Sequence, residues 1–355
     1  MTNFLLAGGG TAGHVNPLLA LADVISEQST SNKVWALGTA EGLEQDLVPA
    51  RGYELLEVAR LPFPRKINLY AIRFPFAFRA AIEACKVMLT EKKIDVVVGF
   101  GGYASAPAYL AAKSLRIPVV VHEANALPGW ANKLGSRFAS AVGVAFANTN
   151  LKNSKHVGMP LRKEIENLDL SAKKDAARAH FGLDKDTLTL LVTGGSLGAK
   201  KINETIEQSR KVLSAAGIQV LHIVGSRSDL AEVKEKDFVR IGYCDRMDLA
   251  IQASDFAVSR AGASTVSEFA AVGLPALYVP YPVGNGEQKF NVVELLGTGG
   301  AITVLDADFT PSFVSETLVP VLSNSKKLKA MAKAAKSVGI SDGANRLFSL
   351  VQGVL

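Results

Sequence analysis

Twice in this chain a short β-rich run ends in a cluster of glycines and continues as a helix. Phe4–His14 reads F-L-L-A-G-G-G-T-A-G-H, and Thr187–Ala199 reads T-L-T-L-L-V-T-G-G-S-L-G-A. A strand feeding a helix through such a turn belongs to parallel sheets, because a parallel neighbour is reached only by a crossover. Around the first, Asn3–Ala7, Lys33–Leu37, Tyr53–Val58, Ile94–Val98, Ile117–His122 and Ser140–Ala145 have the composition of buried strands. Helical periodicity in Asn16–Gln28 and Ser105–Leu115 separates them. Around the second, strands are expected at Gln219–Val224, Val239–Ile241, Phe256–Val258 and Ala276–Val279. The expected fold class is α/β, two doubly wound Rossmann-like domains, with ligands in the cleft where the carboxyl ends of the two sheets meet. The expected domains are residues 1–158 and 159–339. A last helix within 340–355 follows a G-I-S-D-G break and is free to pack on either.

At 355 residues, 48% of them hydrophobic and 20% charged, the chain can fill two cores and is not of the disordered class. Cys85 and Cys244 have no metal-ligand spacing and read as buried free thiols. No basic residue precedes the first apolar run, so a secretory leader is not expected. The 18-residue charge-free stretch Phe269–Gly286 is interrupted by Pro275, Pro280 and Pro282, which rules it out as a spanning helix. A soluble or peripheral protein is expected.

The first glycine loop formally matches G-x-G-x-x-G, but the second strand ends Leu37-Gly38-Thr39, without the acid that would hold a nicotinamide ribose. Nor is it a phosphate loop of the Walker type, since His14 and Val15 stand where Lys and Ser or Thr are required. It remains a helix start able to take phosphate, with one imidazole at its end suited to proton transfer near neutrality. Gly194–Ala199 offers amides and the Ser196 hydroxyl to a phosphate. Arg260–Pro282 reads as a loop, a helix from near Ala263, a break at Gly273 and a strand. Its small residues Gly262, Ala263, Ser264 and Thr265 leave helix-start amides open to an anion. Glu268, one turn further in, suits the hydroxyls of an attached ribose. Tyr103 among glycines, the polar run His122-Glu123-Ala124-Asn125 and Arg162 at the domain join are further candidates. So are Glu287 and Gln288, at a helix start within reach of sugar hydroxyls.

Between Arg60 and Lys93 eight basic residues face two acidic ones, a balance of +6 that equals the net charge of the whole chain. Phe63, Tyr70, Phe74, Phe76 and Phe78 interleave with Arg65, Lys66, Arg73 and Arg79. Stacking aromatics beside basic groups would suit single-stranded nucleic acid, and a helix turning its aromatics to the core is the plainest alternative. Pro62, Pro64 and Pro75 suggest a loop followed by a broken helix, which favours insertion into an anionic membrane surface.

Taken in order, T-A-G-H (11–14), G-G-Y (101–103), H-E-x-N (122–125), G-G-S-x-G-A (194–199), G-A-S-T-V-S-E (262–268), G-L-P-A (273–276) and G-E-Q-x-x-N (286–291) resemble the MurG family over essentially the whole length. The resemblance implies a GT-B fold, with the last helix (340–355) crossing back to join the first domain, and transfer of N-acetylglucosamine from UDP-N-acetylglucosamine to lipid I, giving lipid II with inversion. It implies a peripheral protein on the cytoplasmic side of the cell membrane, at the anionic inner leaflet, with other cell-wall synthesis proteins as partners and no nucleic acid. The donor would meet Thr11, Ala12, Gly13, Asn125, Arg162, Ser196, Cys244, Ala263, Ser264, Thr265, Val266, Ser267, Glu268, Glu287 and Gln288. The acceptor would meet Gly10, His14, Gly102 and Tyr103. Met159, Ala12 and Glu287 depart from the family's usual Asn, Gly and Gln; as a carboxylate, Glu287 can only accept hydrogen bonds. No metal or other cofactor is expected, for want of a D-x-D motif. His14 is the expected base, with Glu123 as second candidate; a grip on the acceptor diphosphate is the alternative role for His14. A UDP-sugar 2-epimerase, a nicotinamide oxidoreductase and a non-catalytic membrane scaffold are the rival readings.

Overall fold

The computed structural model describes residues 1–64, 68–170, 172–283 and 286–355, and the chain divides into two compact units. Unit 1 is Met1–Arg162 with Asp342–Leu355, and unit 2 is Lys163–Ser341.

Unit 1 is built on strands β1 (Asn3–Ala7), β2 (Lys33–Gly38), β3 (Glu54–Glu57), β4 (Val96–Gly99), β5 (Val119–Glu123), β6 (Ala141–Val144) and β7 (Ser154–His156). They form one parallel sheet in the order β3-β2-β1-β4-β5-β6-β7. Alternation along the central strands β1, β4 and β5 explains why these runs are mostly apolar. Phe4, Leu6, Val96, Val98 and Val120 belong to the core on one face, while Leu5, Ala7, Val97, Val119 and Val121 belong to the core on the other. Helices cover both faces, so neither set of side chains meets water.

Unit 2 repeats the plan with β8 (Leu188–Thr193), β9 (Ile218–Ile223), β10 (Val233–Lys234), β11 (Phe238–Ile241), β12 (Phe256–Ser259), β13 (Ala276–Tyr278) and β14 (Ala301–Thr303). Their order is β10-β11-β9-β8-β12-β13-β14, parallel except for β10 against β11. In each sheet the order reverses direction beside the first strand, between β1 and β4 and between β8 and β12. Loops leaving those adjacent strands diverge to opposite faces and leave a crevice at their carboxyl ends.

Three strands escape the sequence reading. β7, β10 and β14 have three residues or fewer and lie at the edges of their sheets, so no long apolar run marks them. A larger difference concerns Leu69–Glu91, which is one uninterrupted helix through Pro75 and not a broken one. Asn68 caps it by accepting from the Ala71 amide (3.0 Å), and Ala81, Cys85 and Leu89, one helical turn apart, anchor its second half in the core.

The domain boundary also moves, from after residue 158 to after Arg162. Met159 and Leu161 are buried, and the closing helix Gly343–Gln352 starts against the Gly158–Met159 backbone, where Gly343 has no room for a Cβ. This helix returns to unit 1: Leu347, Phe348 and Val351 join the core beside helix Ala12–Gln28, and the Phe348 ring lies 6.5 Å from that of Phe4. Leu347→Ala should destabilise unit 1 by about 2–5 kcal/mol, the usual cost of truncating a fully buried leucine, read by urea denaturation followed through unit 1's tryptophans.

Candidate active site

In unit 1 the loops leaving β1, β4 and β5 converge at the sheet's carboxyl edge. The β1 loop closes on itself when the Thr11 carbonyl accepts the amides of His14 (3.0 Å) and Val15 (3.1 Å), starting helix Ala12–Gln28. This start places His14 Nδ1 3.1 Å from the Gly9 carbonyl and 3.4 Å from Thr11 Oγ1. A carbonyl only accepts, so Nδ1 carries the proton and Nε2 presents its lone pair. Across from it runs the β4 loop, held by the Ser105 hydroxyl, which is shared between the Ala7 and Gly101 carbonyls (2.8 and 2.7 Å). Gly102, at φ +81°, lets this loop touch the Gly9 backbone; a Cβ there would lie 2.8 Å from Gly9 O.

The β5 terminus contributes Glu123, 2% exposed. Its Oε1 accepts from the Asn125 amide (2.9 Å), and its Oε2 from the Gly129 amide (2.9 Å) and Asn132 Nδ2 (3.0 Å). Asn132, itself buried, also donates to the His122 carbonyl (3.0 Å) and accepts from the Tyr109 hydroxyl (2.7 Å). His122 faces inward and donates Nε2–H to Gly158 O at 2.9 Å. Burial, only partly offset by that bond, pushes its pKa down to about 4.

These loops line one side of a pocket whose polar end is His14, Gly101, Gly102, Tyr103, Glu123, Asn125 and Asn132. Its other wall is Leu61, Phe63, Phe74, Phe78 and Trp130. Phe74 stacks on Phe78 with ring centroids 5.5 Å apart, and Phe63 lies 5.0 Å from Trp130. The wall runs out into exposed apolar surface: Leu69, Tyr70, Ile72 and Phe76 all project to solvent, Phe76 at 78% exposure, with exposed Arg73 and Arg79 among them. The first half of helix Leu69–Glu91 therefore does not bury its aromatics in the core. The expected contacts Arg65 and Lys66 lie outside the described residues.

In unit 2 the loops beside the β8/β12 crevice are Gly194–Ala199 and Arg260–Gly262. Gly198, at φ +83°, packs its backbone against Val224 O, where no side chain would fit. The Ser196 carbonyl accepts from the Ser226 amide (2.9 Å) and hydroxyl (3.0 Å), leaving Ser196 itself exposed at the tip. Helix Ala263–Val272 starts at Gly262 without a side-chain cap. Its first internal bond is Val266 N–H to Gly262 O at 2.9 Å, so the amides of Gly262, Ala263, Ser264 and Thr265 precede the ladder. Ser264 Oγ is buried with no hydrogen-bond partner among the described residues, and Glu268 is half-buried one turn on. The turn before this helix is braced from behind. Gln288 Oε1 accepts from the amides of Ala261 (3.2 Å) and Tyr281 (2.9 Å), and Asn291 Nδ2 donates to Ala261 O (3.1 Å). Arg260 turns away, bonded to Val279 O (3.1 Å) and Asp306 (2.5 Å).

Residues 4–144 match the glycosyltransferase family 28 N-terminal domain and residues 189–347 its C-terminal domain. A curated relative from Clavibacter sepedonicus is 56% identical over 353 residues, covering 99% of this chain and 96% of its own. It is named UDP-N-acetylglucosamine–N-acetylmuramyl-(pentapeptide) pyrophosphoryl-undecaprenol N-acetylglucosamine transferase. The solved structure of Acinetobacter baumannii MurG matches with a TM-score of 0.81 and 28% identity, covering 99% of this chain and all of that one. The chain belongs to the MurG branch of glycosyltransferase family 28. UDP-GlcNAc 2-epimerase from Neisseria meningitidis shares the fold, with a TM-score of 0.68 over 99% of both chains, at 14% identity.

Several residues expected from the family's motifs stand differently from their assigned parts. Gly10 cannot offer its amide to an acceptor phosphate, because that amide donates to Glu44 Oε2 at 2.7 Å. Val266 is buried and its amide closes the helix, so that amide is not free for a ligand; by helix geometry the Ser267 amide is committed in the same way. Gln288 has its carbonyl oxygen engaged by backbone and can meet a sugar only through nitrogen. Glu287 has a buried Oε2 with no partner among the described residues, an acceptor suited to a ligand hydroxyl. Cys244 lies buried in the loop after β11. Arg162 closes unit 1, half-buried. Glu44, Asn132 and Asn291 carried no assigned role, since their partners are mostly backbone groups that no residue pattern announces.

A second buried histidine, His222, has its pKa pushed down to about 3 by burial and by the Arg240 charge. Both rings stay neutral in the fold while the unfolded chain takes up protons below about 6.5. Stability should therefore be complete above pH 6.5 and fall as pH drops towards 4. Denaturation midpoints across that range check this, with His122→Gln flattening the slope relative to wild type.

Proposed function

We propose that the chain moves N-acetylglucosamine from UDP-N-acetylglucosamine to the 4-hydroxyl of the muramyl sugar of lipid I, giving lipid II and UDP. The observation that carries the reading is the unit 1 pocket. A proton acceptor at one end and an aromatic wall opening onto exposed apolar surface at the other fit a sugar presented on a lipid carrier. An epimerase acting on a free nucleotide sugar would have no use for that wall, and the 56% identical relative is named a transferase.

In this reading unit 2 takes the donor. Glu268 accepts from the ribose hydroxyls, and Ser196 with the amides of Gly262–Thr265 meets the diphosphate, helped by the positive end of helix Ala263–Val272. The acceptor oxygen attacks the anomeric carbon as the bond from that carbon to the diphosphate oxygen breaks. The proton passes from the attacking hydroxyl to His14 Nε2, the charge on the departing diphosphate is met by backbone amides, and the anomeric centre inverts. No resident metal takes part in this scheme; turnover unchanged after dialysis against chelator would agree with it. His14 is preferred to Glu123 because both Glu123 oxygens already accept backbone and side-chain donors that shape the 123–132 loop. Asn125, Tyr103 and Gly102 border the acceptor.

No helix among the described residues is long and apolar enough to cross a membrane. Attachment at the cytoplasmic face would come from the surface around Leu69, Ile72 and Phe76, with Arg73 and Arg79 drawn to anionic headgroups. Contacts with other wall-building proteins belong to the same expectation.

Incubation with labelled UDP-N-acetylglucosamine and a lipid I analogue should transfer label to lipid, and His14→Ala should lower kcat by about 10²–10⁴-fold with donor affinity unchanged. Absence of transfer by a folded, UDP-binding protein overturns the reading. The double variant Arg73→Glu, Arg79→Glu should lose binding to vesicles containing phosphatidylglycerol, measured by co-sedimentation; equal binding refutes the membrane surface.

A further inference from the structure

Beneath the first glycine loop lies a carboxylate that the proposed mechanism does not use. Glu44 is 1% exposed, at the start of helix Glu44–Ala50. Its Oε2 accepts from the Gly10 amide at 2.7 Å, and its Oε1 accepts from the Thr39 amide at 2.8 Å and the Thr39 hydroxyl at 2.9 Å. It has no salt-bridge partner among the described residues. Burial pushes its pKa up, but the bonds from Gly10 and Thr39 outweigh it and hold the carboxyl below its usual range. Three glycines enclose the side chain, and a Cβ on Gly9, Gly38 or Gly42 would overlap it. Side chain, loop and strand end are thus fitted to one another, and the position of the carboxylate sets the position of residues 9–10.

We propose that Glu44 is a positioning residue for the transfer reaction, acting through the β1 loop on the tautomer of His14. The Gly10 amide it holds adjoins the Gly9 carbonyl through one peptide bond, and that carbonyl is the acceptor for His14 Nδ1 at 3.1 Å. A peptide unit is planar, so fixing its N–H fixes the direction of its C=O. Anchored by Glu44, the Gly9 carbonyl keeps the proton on Nδ1 and leaves Nε2 the basic atom. Released, the ring samples the tautomer whose Nε2 bears hydrogen and cannot take a proton from the acceptor. Glu44 thereby places its charge outside the pocket, in contact with no reacting atom.

The inference rests on His14 being the base, and the test separates the two. Glu44→Gln keeps the shape but sets an NH₂ against either the Gly10 amide or the Thr39 donors, since one amide oxygen cannot serve both sides. In ¹⁵N-histidine spectra above pH 8, wild-type His14 should show a protonated Nδ1 and an unprotonated Nε2. In Glu44→Gln the two signals should converge towards a tautomer average. kcat should fall about 10- to 100-fold, below the full loss of a base, with the KM for UDP-N-acetylglucosamine unchanged. Gly42→Ala, which displaces the carboxylate without removing its charge, should act in the same direction and serves if Glu44→Gln does not fold. A converged spectrum with full kcat shows that Glu44 sets the tautomer but removes His14 as base, and with it Glu44's part in the transfer. Unchanged His14 signals in a folded variant overturn the proposal.

Discussion

Parallel pairing obliges each connection to travel back along a face of the sheet before the next strand begins, so every strand in a unit delivers its chain to the same edge. The only antiparallel pair among the described residues is β10 with β11, at the margin of unit 2. The consequence is chemical as much as architectural. His14 follows β1, Tyr103 follows β4 and Asn125 follows β5, and their meeting at one edge is a by-product of strand direction. In unit 2, Ser196 after β8 and Glu268 after β12 are gathered the same way. Topology brings the loops together; the detail lies in how each loop is held.

Much of the fold could be read directly, because strands buried on both faces are mostly apolar and are flagged by the glycines that end them. Phe4–Ala7 and Leu188–Thr193 are of this kind. What could not be read falls into two physical classes. Short strands at a margin, such as Ser154–His156, pair through backbone with too few residues to show a pattern. Pro75 is the other kind: a residue type normally read as a break sits inside helix Leu69–Glu91, whose second half is fixed in the core by Ala81, Cys85 and Leu89. Tertiary anchoring outweighs a local cost of about 3 kcal/mol.

The site divides along the same line. Side chains proposed to act on a ligand through their own chemistry, His14 and Glu268 among them, stand in recognisable motifs. Side chains that act on the backbone of the site do not. The absent acid at the end of β2 is instructive: Leu37-Gly38-Thr39 lacks one, yet a carboxylate reaches that place from Glu44, five residues beyond Thr39. It turns under the glycine loop and consumes the Gly10 amide. The same loop that resembles a dinucleotide site in sequence is thereby closed to a pyrophosphate at that amide.

The braces differ in charge between the two units, and electrostatics gives the reason. In unit 1 the β1 and β5 loops are held by buried carboxylates, Glu44 and Glu123, each fully engaged by donors. In unit 2 the turn leading into helix Ala263–Val272 is held by neutral amides, Gln288 on one side of Ala261 and Asn291 on the other. A carboxylate could accept from the Ala261 amide as well as Gln288 does, and a hydrogen bond to a charged acceptor would be stronger. It would also set a negative charge behind helix-start amides that, in the proposed mechanism, receive a diphosphate. Two like charges about 6 Å apart at an effective dielectric near 20 repel by about 3 kcal/mol, more than the stronger bond returns. Under the β1 loop the balance reverses, because the partner of the loop there is the His14 imidazole, which in the proposed mechanism accepts a proton. A negative group held behind the Gly9–Gly10 peptide strengthens that carbonyl as an acceptor and favours the proton that Nε2 takes up. The choice between Glu and Gln behind each turn thus follows from the charge that the turn must face.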